Sequence, residues 1–339
     1  MKLKLKKSSN QTHFLLIVTI ALFVVMYILG MIVFHAKGFT HLQVFLNLFI
    51  SNAALIVITA GMTMVMITGG IDISVGSFVA MSCMMLAFMM EKQNIGAIPA
   101  CLIVIVTGLV YGFVMGFLVS YLKIQPFIVT LAGMFFARGM AAIISQEMIS
   151  IKNPLFLSWA TNKILLPFGG YTNRKGVYVP PYIYPTVIIA ILTLVIIFVV
   201  LRYTKFGRKI YAIGGSEQSA LLMGLNVRRT RLLAYVVNGF LCALGGILFC
   251  LNTCSGFVEQ AKGFEMEAIA GAVIGGTLLT GGVGNVFGSL FGVLIKGTIE
   301  TFITFQGTLS SWWTRITIAA LLAFFIILQS LIANKKSDN

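Results

Sequence analysis

Apolar residues run through the chain in long blocks, and short polar segments separate these blocks. A helix needs about 20 mostly apolar residues to cross the hydrocarbon core of a bilayer. The strands of an outer-membrane barrel would instead alternate apolar and polar residues. The pattern therefore predicts an all-α integral membrane protein with about ten membrane-spanning helices. The predicted spans cover residues 14–34, 44–68, 74–90, 97–122, 127–145, 184–201, 232–251, 266–280, 286–306 and 316–333.

The composition supports the same class of protein. Of the 339 residues, 59% are apolar and only 10% are charged, and the mean hydropathy is +1.00. Soluble globular proteins have about 45–50% apolar and about 25% charged residues, so the chain is not an ordinary soluble enzyme. A disordered chain would be polar and poor in aromatic residues. We expect residues 1–339 to form a single transmembrane domain.

The formal net charge of +15 comes from Lys and Arg residues that lie mostly between the apolar blocks. Basic residues in such segments set the orientation of a membrane protein, because the more basic side stays in the cytoplasm. We therefore expect no nucleic-acid partner. If every block crosses the membrane, the basic N-terminal tail at 1–13 and the C-terminal tail at 334–339 are both cytoplasmic.

Two polar segments are long enough to carry a function of their own. We expect residues 146–183 to form an outside loop and residues 202–231 to form a cytoplasmic loop that is rich in basic residues. Within the second loop, Ser216 fits the N-cap of a short helix, Glu217 lies in its first turn, and Gly224 fits its C-terminal end. The alternative is a solvated basic loop without a specific role.

A glycine-rich segment occurs twice, at residues 69–77 and 281–289. Two adjacent glycines interrupt a helix, because glycine costs about 1 kcal/mol relative to alanine in a helix interior. At membrane depth, irregular backbone survives only inside the protein or around a water-filled cavity, and a pair of such segments points to a transport path. The alternative is two tight turns, and sequence leaves open whether the segments are re-entrant, parallel or inverted. The predicted pathway or gating residues are Gly69, Gly70, Asp72, Gly281, Gly282 and Gly284.

Glycines also recur at four-residue spacing inside two spans. Such small residues let the backbones of neighbouring helices approach closely, so we expect tight helix packing there. The glycines concerned are Gly108, Gly112, Gly116, Gly288 and Gly292.

Five ionisable residues fall inside or at the edge of predicted spans. A charge at the centre of a bilayer costs at least about 2.5–3.5 kcal/mol, so such groups usually face the interior of the helix bundle. Lys296 and Glu300 are four residues apart and are expected to pair. Arg138 is expected to snorkel to the surface or to bind backbone carbonyls of a broken helix. Asp72 is expected to cap the helix that follows it, with a gating role as the alternative. The fifth such residue is Glu267.

The sequence has no sign of catalysis. It has no phosphate-binding loop of the Gly-x-x-x-x-Gly-Lys-Ser/Thr type, so we do not expect the chain to bind ATP in that way. It has only three histidines and no paired-cysteine metal motif. We therefore expect no catalytic residue, no cofactor and no metal site, and we interpret the five cysteines as small apolar residues.

Three motifs resemble those of bacterial ABC sugar importer permeases of the ribose, xylose and galactose class. They lie at residues 68–77, 204–225 and 268–284, in the order found in that family. The resemblance extends over about residues 44–330. Within the family, the chain is most similar to a permease subunit of a galactofuranose importer, through residues 129–139 and 307–315.

This resemblance implies partners. A second permease subunit, identical or homologous, would complete the pathway within the membrane lipid, separate ATPase subunits would hydrolyse ATP, and an extracytoplasmic binding protein would deliver the sugar. The short cytoplasmic helix would be the coupling helix that docks on the ATPase. The N-terminus and the outside loop diverge from the family. The residues implied for coupling are Ser216, Glu217, Gln218, Ala220, Met223 and Gly224.

Sugar sites combine aromatic faces with neutral hydrogen-bonding groups. The candidate substrate contacts on this basis are Asn47, Asn52, Gln306, Trp312 and Trp313. For the tryptophans the alternative is an anchor at the membrane interface, where this residue is enriched. The alternative function for the whole chain is an ATP-independent secondary transporter or channel for a small polar solute. A membrane enzyme would need clustered acids or histidines at a membrane surface, and the sequence offers none.

Overall fold

The computed structural model describes residues 2–172, 176–308, 310 and 312–334, with side chains between 15 and 327. Met1, Asn173, Arg174, Lys175, Leu309, Ser311 and the C-terminal tail after Asn334 lie outside the described residues. The helices are α1 (Lys2–Val33), α2 (Leu42–Ile67), α3 (Val75–Glu91), α4 (Ala97–Ser120), α5 (Pro126–Ile144), α6 (Pro154–Thr161), α7 (Pro185–Tyr203), α8 (Lys205–Gly215), α9 (Glu217–Leu222), α10 (Val227–Thr253), α11 (Phe264–Ile274), α12 (Val286–Gln306) and α13 (Trp312–Asn334).

The all-α membrane fold is confirmed. Each of the ten predicted spans coincides with one of these helices. Within the part of the chain that the structure describes, seven helices are long and apolar enough to cross a membrane. The helix predicted at 266–280 is shorter than expected, because α11 has only 11 residues. A helix of that length spans about 16 Å, which is about half of the hydrocarbon core. The count of ten full spans is therefore approximate.

The core of the protein surrounds α2. Nearly every side chain of α2 from Asn52 to Ile67 is buried, and α10, α11 and α12 pack around it. The helices α4, α5 and α7 form the periphery, and each exposes large apolar side chains such as Val106, Phe135 and Leu192. Lipid tails solvate such surfaces, so this distribution is the one that a membrane protein needs.

The predicted glycine packing is confirmed at the contact between α4 and α10. A Cβ on Gly108 or Gly112 would overlap the backbone carbonyl of Gly239 or Tyr235. Gly288 and Gly292 of α12 lie equally close to the backbone of α11 at Gly275 and Gly271. The helix backbones thus touch without side chains between them.

The two polar segments lie at opposite ends of α7. We call the end with residues 145–184 the loop face and the end with α8 and α9 the helix face. The loop face contains α6 and short antiparallel pairs, in which β1 (Ile149–Ser150) pairs with β6 (Ser255–Gly256), β2 (Ile164–Leu165) with β5 (Tyr182–Ile183) and β3 (Tyr171–Thr172) with β4 (Tyr178–Val179).

The N-terminal segment is helical. The helix α1 begins at Lys2, so residues 2–13 precede the membrane-spanning part, Leu15–Val33, in one continuous helix.

Candidate functional site

Two glycine-rich turns meet inside the protein. The first follows α2, where Gly69 has a φ of +79°, and the second follows α11, where Gly281 and Gly282 have φ values of +85° and +75°. Residues with a side chain rarely adopt this left-handed backbone conformation, so these positions favour glycine. The Gly282 N–H donates to the Ile67 carbonyl at 2.9 Å. A Cβ on Gly281 would lie 2.8 Å from the Gly69 nitrogen, so the two repeated segments are in direct contact.

The repeat holds for the order helix, turn, helix, but not residue by residue. The first turn comprises residues 68–74, whereas the second comprises the longer segment 275–285. Gly276, with a φ of +89°, ends α11 as Gly69 ends α2, so the alignment of Gly69 with Gly281 is wrong at the helix ends. The helices α2 and α11 run in the same direction toward their turns, because Gly271 lies beside Thr59 and, further along both segments, Gly282 binds Ile67.

Asp72 connects the first turn to α10. It is only 4% exposed. Its Oδ1 accepts hydrogen bonds from the N–H and the hydroxyl of Ser74 at 2.9 and 2.5 Å, and its Oδ2 accepts one from the Asn238 amide at 2.8 Å. The expected helix cap is only partly right, because Ser74 is the N-cap residue of α3 and Asp72 binds that residue.

The helix α8 closes the junction from the helix face. The Tyr211 hydroxyl donates to the Gly284 carbonyl at 2.8 Å. Gly214 lies so close to the end of α2 that an added Cβ would overlap the Ile67 carbonyl. A Cβ on Gly282 would lie 2.9 Å from the Gly214 carbonyl carbon. The end of α2, the second turn and α8 therefore meet through backbone atoms.

The structure brings the predicted pathway residues together at this junction. Gly70 belongs to it as well, because a Cβ there would lie 2.7 Å from the Tyr235 hydroxyl. We call this contact between the two turns and α8 the glycine junction. Its predicted members are Gly69, Gly70, Asp72, Gly281, Gly282 and Gly284.

A buried charge cluster lies between α2, α11 and α12. The Lys296 ammonium is 2.6 Å from a carboxylate oxygen of Glu300 and 3.1 Å from one of Glu267, and it donates to the Asn52 amide oxygen at 3.4 Å. The predicted pair of Lys296 with Glu300 is confirmed. Glu267 comes from a different helix, so residue spacing could not indicate its contact with Lys296. Charges at such positions usually face a bundle interior or a cavity.

The two carboxylates of this cluster open onto a cavity of about 710 Å³ beside the loop-face end of α12. The Arg315 guanidinium lies over the Trp312 ring, 4.8 Å from its centre. Carboxylates, hydroxyls, a guanidinium and an indole together suit a polar ligand that has an apolar face. The lining residues are Glu267, Glu300, Ile303, Thr304, Gly307, Trp312, Thr314 and Arg315.

Two of the five candidate substrate contacts belong to this region. Asn52 binds the Lys296 ammonium, and Trp312 lines the cavity. Asn47 instead accepts a hydrogen bond from Gln43 at 2.8 Å, and Gln306 and Trp313 are exposed outside the cavity lining.

Sequence reasoning missed the polar lining that comes from Thr304, Thr314 and Arg315. One signal was available, because Lys296, Glu300 and Thr304 follow one another at four-residue spacing on α12, and this spacing places them on one helix face.

The short helix α9 begins and ends close to where the sequence predicts. The Ser216 hydroxyl accepts the Ser219 N–H at 3.2 Å, which is the expected N-cap bond. Gly224 follows the helix with a φ of +74°. Glu217 forms an ion pair with Arg231 of α10 at 2.8 Å, so α9 is tied to the start of the next long helix.

The surface of α9 differs from the predicted one. Ala220 is fully buried among Ile213 and Val227, so its side chain packs α9 against its own neighbours in the chain. Leu222 is 90% exposed, although the predicted set omits it. The exposed residues of α9 and its flanking positions are Ser216, Glu217, Gln218, Ser219, Leu221, Leu222, Met223 and Gly224.

Arg138 binds irregular backbone, as one of the two expectations stated. Its guanidinium donates to the carbonyls of Val258 and Gln260, the latter at 2.9 Å. These residues belong to the non-helical segment 254–263, and Gly256 of that segment packs against the Cys83 carbonyl of α3. Gly256 is thus buried within the protein, where non-helical backbone is tolerated in a membrane protein.

This geometry defines the class of the protein, which is a multi-pass helical membrane protein with two glycine turns in contact. The family described as branched-chain amino acid transport system, permease component, matches residues 44–326, and the chain belongs to this family. No solved structure matches the chain significantly.

The relatives include permeases that this chain matches over most of their length. The chain is 42% identical to the inner membrane ABC transporter permease protein YjfF of Escherichia coli (strain K12), over 93% of this chain and 91% of that one. It is 35% identical to the fructose import permease protein FruG of Bifidobacterium longum (strain NCC 2705), over 91% and 88%. It is 32% identical to the ribose import permease protein RbsC of Escherichia coli (strain K12), over 83% and 82%. These relatives confirm the resemblance to ribose-type ABC permeases.

Proposed function

We propose that this chain is the membrane-spanning permease subunit of an ATP-driven sugar importer. The observation that carries the proposal is the near full-length similarity to permeases whose names specify fructose and ribose import. The family description names branched-chain amino acids, but the similarity to named sugar permeases favours a sugar. The chain itself is then a transport subunit, and partner chains hydrolyse ATP.

The proposed orientation puts the helix face and both termini in the cytoplasm. Exposed basic residues on the helix face support this orientation through the positive-inside rule, and they can also contact anionic lipid headgroups. The exposed ones are Arg202, Lys205, Arg208, Arg228 and Arg229. In this orientation α9 is the coupling helix, and its apolar tip at Leu221, Leu222 and Met223 docks on the ATPase subunit.

The sugar enters from the loop face, where an extracytoplasmic binding protein delivers it. The cavity at the end of α12 is the proposed vestibule. The negative charges of Glu267 and Glu300 are balanced there by Lys296 and Arg315, and the Trp312 indole lies beside them. A neutral monosaccharide can hydrogen-bond to paired charges without carrying charge itself. Beyond the vestibule, the glycine junction is the proposed gate on the helix face. A second permease subunit, identical or homologous, completes the pathway.

Galactofuranose or a related monosaccharide is the proposed sugar. The support is the similarity of residues 129–139 and 307–315 to a galactofuranose permease subunit. The second segment supplies Trp312 and Arg315 to the cavity lining, so the resemblance falls on residues that can contact the substrate.

A second candidate function is ATP-independent secondary transport. The buried cluster of Glu267, Lys296 and Glu300 favours it, because intramembrane acids next to a lysine occur in proton and ion pathways. The importer requires ATP for uptake, whereas the secondary transporter does not, so one experiment separates the two functions.

The deciding experiment is purification of the tagged chain in mild detergent, followed by uptake in liposomes. The importer predicts that an ATPase subunit co-purifies and that labelled galactofuranose enters only with ATP and the binding protein. Recovery of the chain alone, with uptake driven by an ion gradient and no ATP, would contradict it and support the secondary transporter.

A further inference from the structure

We infer that one face of α10 links the coupling helix to the glycine junction, and that Arg231, Tyr235 and Asn238 are the positioning residues of this link. The inference rests on the proposed function, because it needs an ATPase that moves α9. It adds the physical route by which that movement reaches the membrane interior. The three residues are separated by four and three positions in sequence, so they lie along one face of the helix.

The helix-face end of this route is an ion pair. The Arg231 guanidinium lies 2.8 Å from the Glu217 carboxylate, and Glu217 is the first residue of α9. The Arg231 side chain is only 19% exposed, whereas that of Glu217 is 49% exposed. A displacement of α9 therefore pulls on a partly buried cation whose backbone belongs to α10.

The inner end of the route is the first glycine turn. The Tyr235 side chain is fully buried, and its hydroxyl donates to the Ile71 carbonyl at 3.4 Å. One turn further, the Asn238 amide donates to Asp72 at 2.8 Å. Of the three hydrogen bonds that Asp72 accepts, this is the one from outside its own turn. Because a buried carboxylate that loses a donor is destabilised, Asp72 follows Asn238 when α10 moves.

The body of α10 between these ends behaves as a rigid rod. Arg231 and Asn238 are seven residues apart, which is about 10 Å along a helix. Gly112 of α4 touches the backbone of α10 at Tyr235, and Gly61 of α2 leaves no space beside the Asn238 side chain. Close packing of this kind prevents the side chains from yielding locally. A pull at Arg231 therefore arrives at Asp72 as movement of the helix.

A second connection runs through α8, which Ser216 alone separates from α9. The Tyr211 hydroxyl binds the Gly284 carbonyl of the second turn, and Gly214 touches Ile67. The coupling helix is thus attached to the first turn through α10 and to the second turn through α8. Movement of α9 relative to the membrane acts on both halves of the glycine junction at once.

The test measures sugar uptake per ATP hydrolysed by the assembled transporter in liposomes. Arg231→Gln and Asn238→Ala are each expected to lower this ratio about tenfold, while the ATPase subunit still co-purifies and hydrolyses ATP. Mutations at sites more than about 7–10 Å apart normally act independently, so independent defects would multiply to about a hundredfold. If Arg231 and Asn238 belong to one route, the double variant has a ratio no lower than that of the more severe single variant. Lys262→Gln, which removes an exposed ion pair with Glu259 on the loop face, is the matched control and should leave the ratio unchanged.

A second pair of variants covers the case in which Asn238→Ala does not fold. Exchanging the partners, Asp72→Asn together with Asn238→Asp, keeps one carboxylate and one amide in contact. We expect this exchange to recover uptake per ATP to within about threefold of the parent, whereas Asp72→Asn alone loses it. The inference would be overturned if the defects of Arg231→Gln and Asn238→Ala multiply in the double variant. It would also be overturned if the exchange variant folds but does not recover uptake per ATP. Loss of the ATPase from the parent complex would instead refute the proposed function.

Discussion

Lys296 is a buried charge that is held by partners from three sides within the helix bundle. It is 8% exposed, and two carboxylates and one amide surround its ammonium group. The lysine holds Glu267 and Glu300 near each other although both are negative. Removing it leaves two like charges in a medium that screens them poorly.

We therefore expect Lys296→Met to destabilise the protein more than Glu300→Gln. The lysine variant leaves two facing carboxylates, whereas the glutamine variant leaves Lys296 with Glu267 at 3.1 Å. Removal of one member of a buried ion pair costs about 3–5 kcal/mol, and partial exposure of Glu300 reduces this cost for the second variant. Thermal unfolding in detergent, followed by size-exclusion chromatography, measures both. Equal melting temperatures for the two variants would show that the cluster does not act as a triad.

At this scale the sequence predicts what lies on one helix and fails between helices. The four-residue spacing of Lys296 and Glu300 is enough to predict their pair. The contacts of Lys296 with Glu267 and of Asp72 with Asn238 join residues that are far apart in sequence. No local pattern encodes them, since they arise from packing of the whole bundle.

At the scale of elements, glycine contacts set the distance between helices. Gly112 of α4 lies against the backbone of α10 at Tyr235 and Gly239, so the helices approach until their backbones touch. The exposed position Gly139 of α5 has no atom within 4 Å of an added Cβ. These two helical glycines therefore form a matched pair for testing helix packing.

Gly112→Ala is expected to force α4 and α10 apart and to lower the yield of folded protein. Gly139→Ala should be neutral or slightly stabilising, because alanine is favoured over glycine in a helix by up to about 1 kcal/mol. The yield of monodisperse protein after detergent extraction checks both variants. A well-folded Gly112→Ala protein with unchanged melting temperature would rule out the close packing described.

The elements themselves were largely predictable from sequence. Long apolar blocks leave little choice but membrane helices, and Ser216 and Gly224 marked the ends of α9. The end of α11 was missed, although the adjacent glycines Gly275 and Gly276 mark it. Leu278 and Leu279 extend the apolar block past the last helical residue, Ile274. Hydropathy reports burial in an apolar environment, and it cannot distinguish a helix from a turn that protein surrounds.

At the scale of the whole molecule, the helix face presents an apolar tip in a basic surrounding. Leu222 is 90% exposed, next to Leu221 and Met223. Exposed apolar residues that cluster outside the spans suggest a surface that another protein covers. The membrane cannot cover this tip, if α9 projects away from the bilayer as the proposed orientation requires.

Leu222→Asp is expected to abolish co-purification of the ATPase subunit while the permease remains folded. The substitution replaces an apolar side chain by a carboxylate at the centre of the proposed interface, and the interface then loses the desolvated apolar contact that a hot spot provides. Phe168→Asp is the control, because Phe168 is 64% exposed on the loop face. Unchanged ATPase recovery with Leu222→Asp would move the docking surface away from α9.

In the proposed gate, hydrogen bonds across the glycine junction contribute to the energy of switching. Among the described residues they include the bond from Gly282 to Ile67 and the one from Tyr211 to Gly284, and each contributes about 0.5–1.5 kcal/mol. Backbone contact leaves little apolar area to expose when the turns separate. A free-energy difference of this size between the proposed closed and open forms keeps both populated, since about 1.4 kcal/mol changes a population only tenfold. ATP hydrolysis in the proposed partner subunit would then select between conformations that the permease already adopts.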